Sequence, residues 1–207
     1  MSAISSSIYL KDELENLRPI LEQWLDMNKE YCAAYNECLY AYSERSTISS
    51  LAAAVWMSGG FAVTEFSHPK KNFNGDIWGD LWFALKDKEH SYYHVEAKYY
   101  ADKNITYDGE RLKIEIEKGL NEAKTQIEDS KKEENCTKLA LVFIVPDFPS
   151  AEGEKYIKEV KKINQSISDI EHEYDLAVTL NPDVTGNKDE HYFPCVALLG
   201  RIVPNGI

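Results

Sequence analysis

A chain of 207 residues with 43% hydrophobic content and 13 tyrosines is long enough to bury a core as a single domain. No apolar run approaches the ~18 residues a membrane span needs, and the opening MSAISSSIYLKDELE lacks a charged-then-apolar leader pattern, so no membrane association and a cytoplasmic location are expected. A formal net charge of −12 argues against broad, nonspecific attraction to polyanions, although residues 45–132 carry 13 basic and 14 acidic side chains and the surplus lies on either side of them.

Taken in order, residues 8–42 read as helical. Leu14 and Leu17 precede Pro19, which suits a first helical turn, and Ile20, Leu21, Trp24 and Leu25 form an apolar stripe. Tyr31, Tyr35, Leu39 and Tyr42 continue at roughly helical spacing, as a packing stripe. Ser43 to Ser58 is a second helix with an Ala-rich centre, ended by Gly59-Gly60, and Glu44 lies in its first turn, where a carboxylate suits the helix dipole. Phe61 to Phe66 reads as a strand. The loop HPKKNFNG, with His68, Lys70 and Lys71, follows as a candidate phosphate-contacting segment.

From Gly75 to Tyr100 the pattern is a hairpin. Ile77, Gly79, Leu81, Phe83 and Leu85 share one face, as do Tyr93, Val95, Ala97 and Tyr99 on the return strand. Asp80 belongs to the opposite face of the first strand, and His94, Glu96 and Lys98 to the opposite face of the second. A turn centred near Lys88 sets Asp80 across from Glu96. Directly opposed side chains have Cβ atoms about 4.5–5.5 Å apart, so the two carboxylates repel unless a cation lies between them. Mg²⁺ suits such a pair, since it is held by one or two carboxylates together with waters and substrate phosphates. Lys98 adds a positive group on the same face, suited to orienting a water or to stabilising charge on a phosphate.

Beyond the hairpin, Leu112, Ile116, Leu120, Ala123 and Ile127 mark the buried stripe of a long helix whose other faces carry Lys124 and Gln126. Lys138 to Val145 is a nearly unbroken apolar run, suited to a strand covered on both faces of a mixed sheet. A helix over Ala151 to Ile167 and strands over Asp175–Leu180 and Phe193–Val203 complete the chain. The four cysteines have no paired Cys-x-x-Cys spacing and read as free, buried thiols rather than zinc ligands. No GxxxxGK[ST] loop, GxSxG elbow or HExxH motif is present.

Asp80 followed by Glu96-Ala97-Lys98 resembles the PD-(D/E)XK nuclease superfamily, the fold of many restriction endonucleases. Other acid-x-Lys triplets, such as Glu122-Ala123-Lys124 and Glu159-Val160-Lys161, fall in helix-like runs; this one ends a strand that follows an acid-bearing strand. Asp76 is the alternative acid, but Asp80 sits within the apolar alternation, and superfamily strands often read Asp-Leu-Trp, as Asp80-Leu81-Trp82 does. The order helix, three strands, helix, strand over about 44–146 is the common core of the superfamily.

The resemblance implies an α/β fold: a restriction endonuclease-like mixed β-sheet core (αβββαβ) flanked by helices. Residues 1–43 would form an N-terminal helical extension, and residues 44–207 the nuclease-like domain with a C-terminal extension of the sheet. It implies a metal-dependent nuclease acting on DNA, with Asp80, Glu96 and Lys98 as catalytic residues. Mg²⁺, replaceable by Mn²⁺, would be held by Asp80, Glu96, the main-chain carbonyl of Ala97, and Glu44 from the preceding helix. His94, Lys70, Lys71, Lys124 and Gln126 are the expected substrate contacts. The alternative is a catalytically inactive nuclease-fold protein that binds protein or nucleic acid. Either form has the acidic N-terminal helices as a surface for a homodimer or a protein partner.

Overall fold

The segment Cys136–Pro146 (β5) is apolar at nearly every position because it is covered on both sides. Leu139, Leu141, Phe143 and Val145 enter one buried cluster, shared with helices Arg18–Tyr35 (α1) and Glu44–Met57 (α2). Ala140, Val142 and Ile144 enter a second, shared with helices Gly109–Glu128 (α3) and Gly153–Ile170 (α4). The computed structural model describes residues 5–69, 76–86, 91–102, 109–128, 135–149, 153–182, 186–188 and 191–204. Lys70 and Lys71 lie outside the described residues.

The molecule is mixed α/β, with a seven-stranded mixed sheet between those two helical layers. Its strands are Ser5–Leu10 (β1), Phe61–Pro69 (β2), Asp76–Ala84 (β3), Tyr92–Asp102 (β4), β5, Leu176–Asn181 (β7) and Val196–Val203 (β10), ordered β1-β7-β10-β5-β4-β3-β2. Phe148–Pro149 (β6), Gly186–Lys188 (β8) and His191–Phe193 (β9) form a small separate sheet. All neighbours in the large sheet are antiparallel except β4 and β5. Parallel neighbours require a crossover, and α3 supplies it. Its residues Leu112, Ile116, Leu120, Ala123 and Ile127 are buried, as their spacing predicts. The order α2, β2, β3, β4, α3, β5 is the expected one. Among the described residues no helix is long and apolar enough to cross a membrane, and all four cysteines are buried thiols outside any disulfide.

The N-terminal segment departs from the sequence expectation. Ser5–Leu10 is an edge strand, paired with β7 from Ser5↔Asn181 to Leu10↔Leu176, and helix begins only beyond it. Nor do residues 5–43 stand apart from the core. Leu14, Leu17, Ile20, Leu21, Trp24 and Leu25 belong to the same core cluster as the sheet. Polar contacts fasten the segment as well: Trp24 Nε1 donates to Ser50 Oγ at 2.8 Å, Tyr93 donates to Asn16 at 2.8 Å, and Tyr99 donates to the Tyr40 carbonyl at 2.7 Å. The anticipated tyrosine stripe is corrected too. Tyr35 is 67% exposed, and the aromatic fully buried in this region is Tyr40, outside the stripe. The next strand is longer than expected, running through His68 to Pro69.

Trp24 therefore joins α1 to α2 through both a buried ring and a hydrogen bond. Trp24→Ala is expected to lower the unfolding free energy by about 3–5 kcal/mol, measured by urea denaturation. A loss below about 1 kcal/mol would class it with surface substitutions and make the described N-terminal segment dispensable to the core.

Candidate active site

β3 and β4 pair only from Ala84↔Tyr92 to Leu81↔Val95. The residue numbers in each pair sum to 176, the register that opposes Asp80 to Glu96. Leu85 N–H donates to the Ser91 carbonyl, so the odd-numbered pairs are of the hydrogen-bonded type, and Gly79 with Ala97 would come next. That pair does not form. Instead Asp80 Oδ2 accepts the Ala97 N–H at 2.7 Å, in place of the missing strand carbonyl. Beyond this point β4 continues to Asp102 alongside β5 alone, leaving its other edge open.

α2 closes on that edge. Ser43 caps its N-terminus through a reciprocal pair of hydrogen bonds with Ser46, which fixes Glu44 in the first turn. Partial burial and the negative charge of Asp80 raise the Glu44 pKa, while Lys98 and a hydrogen bond from the Tyr99 amide pull it down. Glu44 and Asp80 thus serve two successive outward-facing amides of β4, those of Tyr99 and Ala97.

Glu96 is buried, only 3% exposed. Desolvation, then the charge of Asp80 and a hydrogen bond with it, push its pKa up to about 8, opposed by Lys98 and reinforced by Glu44. The structure therefore brings Glu44, Asp80, Glu96 and Lys98 within electrostatic reach of one another. Among the described residues no three His, Cys, Asp or Glu side chains form a ready-made metal cage. An ion here would rest on the Asp80/Glu96 pair. Mg²⁺ fits such a half-built site, because it keeps several waters and takes only one or two carboxylates.

The expected substrate contacts fare differently. His94 is 1% exposed and cannot reach a substrate phosphate. Its Nε2 lies 3.4 Å from Glu96 Oε1, and its ring meets Phe66 edge-on with centroids 5.0 Å apart. It supports Glu96 from beneath. Gly79 makes this packing possible, since a Cβ there would fall 2.6 Å from the Phe66 ring and 3.1 Å from His94 Nε2. Lys124 is exposed on α3 and pairs with Glu128 at 3.7 Å, and Gln126 is exposed on the same helix. Neither is joined to the acidic group by a hydrogen bond or ion pair among the described residues.

Sequence reasoning passed over the residues beside the acids. A cavity of about 610 Å³ opens next to Asp80, lined by Glu44, Arg45, Ile48 and Ser49 of α2, Thr64 and Glu65 of β2, and Trp78 and Gly79 of β3. Glu65 has a left-handed backbone (φ 52°), and the β2–β3 ladder skips it between Thr64↔Leu81 and Phe66↔Gly79. The kink lies across from Asp80, and Arg45 Nε contacts Glu65 Oε1 at 2.8 Å. Trp78 shares a face of β3 with Asp80 by period-two spacing, the signal from which it was legible. Comparison with family models, with curated proteins and with solved structures finds no match for this chain.

Two outcomes follow from this geometry. Glu96 binds its proton more tightly in the folded state, about 8 against an ordinary 4.5, so stability is greatest below pH 4.5 on this account and is lost as pH rises to about 8. Thermal melts between pH 5 and 8 should show that loss in the wild type and a flatter profile in Glu96→Gln; identical slopes would remove Glu96 as the source. Gly79→Ala should cost about 1–3 kcal/mol by overpacking against Phe66 and His94, read from denaturant midpoints, and unchanged stability would contradict the close approach.

Proposed function

We propose that this chain is a metal-dependent nuclease that hydrolyses phosphodiester bonds, of DNA in the first instance, on a restriction endonuclease-like core. The observation that carries the reading is the meeting of Asp80, a buried Glu96 and Lys98 where β3 parts from β4. The element order from α2 to β5 supports it independently. Two opposed carboxylates, one raised to about 8 by burial and by the other, form a site that favours a bound positive charge, which a divalent cation would supply. Oxygen ligands alone favour Mg²⁺ or Mn²⁺ over softer ions.

Asp80 and Glu96 would hold the ion. Because a strand residue turns its N–H and C=O toward the same edge, the Ala97 carbonyl faces the Asp80 side and is available as a third oxygen. When bound, the ion polarises the scissile phosphate and acidifies a water. Lys98, on the Glu96 face of β4, keeps its ammonium where negative charge builds on the phosphoryl oxygens. Glu44 fixes the Tyr99 amide and adds negative charge without completing a cage.

A second reading is favoured by a specific observation: the Asp80 and Glu44 carboxylates already satisfy main-chain amides of β4. On that reading the acids are structural, and an acidic chain of net charge −12 serves as a binding subunit through its N-terminal helices. Incubation with plasmid and single-stranded DNA in Mg²⁺, Mn²⁺ or EDTA separates the two. Cutting that EDTA abolishes, and that Asp80→Asn eliminates, is the expected result. Lys98→Ala should slow turnover by about 10²–10³-fold while calorimetric Mn²⁺ affinity stays within a few-fold of wild type. Metal binding without cutting overturns the enzyme in favour of the subunit, and an Asp80→Asn protein that cuts at the wild-type rate refutes the assignment of Asp80.

A further inference from the structure

Two of the acids described above, Glu44 and Asp80, line a cavity whose remaining walls carry no residue assigned to the metal. Trp78 stands on the same face of β3 as Asp80, two residues away, with 73% of its surface exposed. Large aromatic side chains are usually buried, so an indole left open beside an acidic centre offers a free stacking face. Arg45 and Glu65 line the same cavity as an ion pair, with side chains 84% and 58% exposed. A guanidinium beside a carboxylate presents donors and acceptors together, the complement of the Watson–Crick edge of a base. Ser49 and Thr64 add hydroxyl groups along the wall.

From this arrangement we propose that the cavity between α2 and the β2–β3 pair binds one unpaired nucleotide next to the bond to be cut, stacked on Trp78 and read by Arg45 and Glu65. The substrate is then a single strand, or the frayed or flapped end of a duplex, and not continuous duplex. The inference rests on the nuclease reading and narrows its substrate. A volume of about 610 Å³ suits one small ligand, since such pockets span about 300–1,000 Å³. In an intact duplex both faces of a base are stacked and its Watson–Crick edge is occupied, so only an extruded or single-stranded base can fill such a cavity. The net charge points the same way. A chain at −12 is poorly equipped to gain affinity from many phosphate contacts, whereas base–aromatic stacking works without them.

The test uses fluorescein-labelled dT12 and a blunt 12-base-pair duplex, titrated by anisotropy in Ca²⁺ with wild-type protein, Trp78→Ala, Trp78→Phe and Arg45→Ala. Wild type is expected to bind dT12 more tightly than the duplex. Trp78→Ala should weaken dT12 binding by about 5–150-fold, the range of a single base–aromatic stack, and leave duplex binding unchanged. Trp78→Phe should retain most of the affinity, and Arg45→Ala should weaken dT12 binding without altering the melting temperature. Because Trp78 is exposed, loss of its ring leaves the core intact, which circular dichroism melts verify. Equal dT12 affinity in wild type and Trp78→Ala, tighter binding of the duplex, or no binding of dT12 overturns the nucleotide cavity even where Mg²⁺-dependent cutting is seen. A Trp78-dependent affinity for dT12 in a protein that cuts no DNA upholds the cavity and overturns the nuclease.

Discussion

The local structure turns on a shortage of hydrogen-bond partners. β4 is the longest strand in contact with β3, yet β3 leaves it after Leu81↔Val95, and the amides of Ala97 and Tyr99 are left facing an edge with no strand beside them. Main-chain donors away from water must be satisfied, and here side-chain carboxylates do it: Asp80 for Ala97, Glu44 for Tyr99. The acids that meet this requirement bring their charge within reach of Glu96, which is itself buried. Concentrated negative charge at this spot is therefore built into the way the sheet ends.

Such a concentration is unfavourable unless something positive offsets it. Lys98 supplies one cation, while burial first and the charge of Asp80 second keep the Glu96 pKa raised. A proton on Glu96 relieves the repulsion, and neutral pH lies just below the point where that proton is lost. His94 lies 3.4 Å from the Glu96 carboxyl group and is itself held by Phe66 and by the bare backbone at Gly79, so Glu96 sits against a packed neighbour.

Much of this was legible in the residues and some was not, for identifiable reasons. The two strands around the site announce themselves by period-two alternation, and the expectation of a turn centred near Lys88, outside the described residues, gives the register that the described pairs follow, so Asp80, Glu96 and Lys98 could be assigned to one face. The α3 stripe from Leu112 to Ile127 and the doubly covered run of β5 follow from the same logic. Ser5–Leu10 escaped because its pairing partner lies at the other end of the chain and its Ser-rich composition carries little periodic signal. His94 was misjudged because strand parity gives a face but not what covers that face; Phe66 and the bare backbone at Gly79 do the covering. The Arg45–Glu65 pair depends on a left-handed backbone at Glu65, for which a glutamate gives no warning.

The seating of β1 has a consequence for how the chain reaches its folded form. β1 pairs with β7, which pairs with β10, which pairs with β5, so the first described strand joins the sheet through a partner far away in the sequence. Contacts of such wide sequence separation slow folding, because a long loop must close before any of them forms. During synthesis Ser5–Leu10 waits beside no neighbour until Leu176–Asn181 has emerged from the ribosome. Meanwhile the contiguous block from α2 to β5, which carries the acidic centre, has all of its own strands at hand and is free to assemble first.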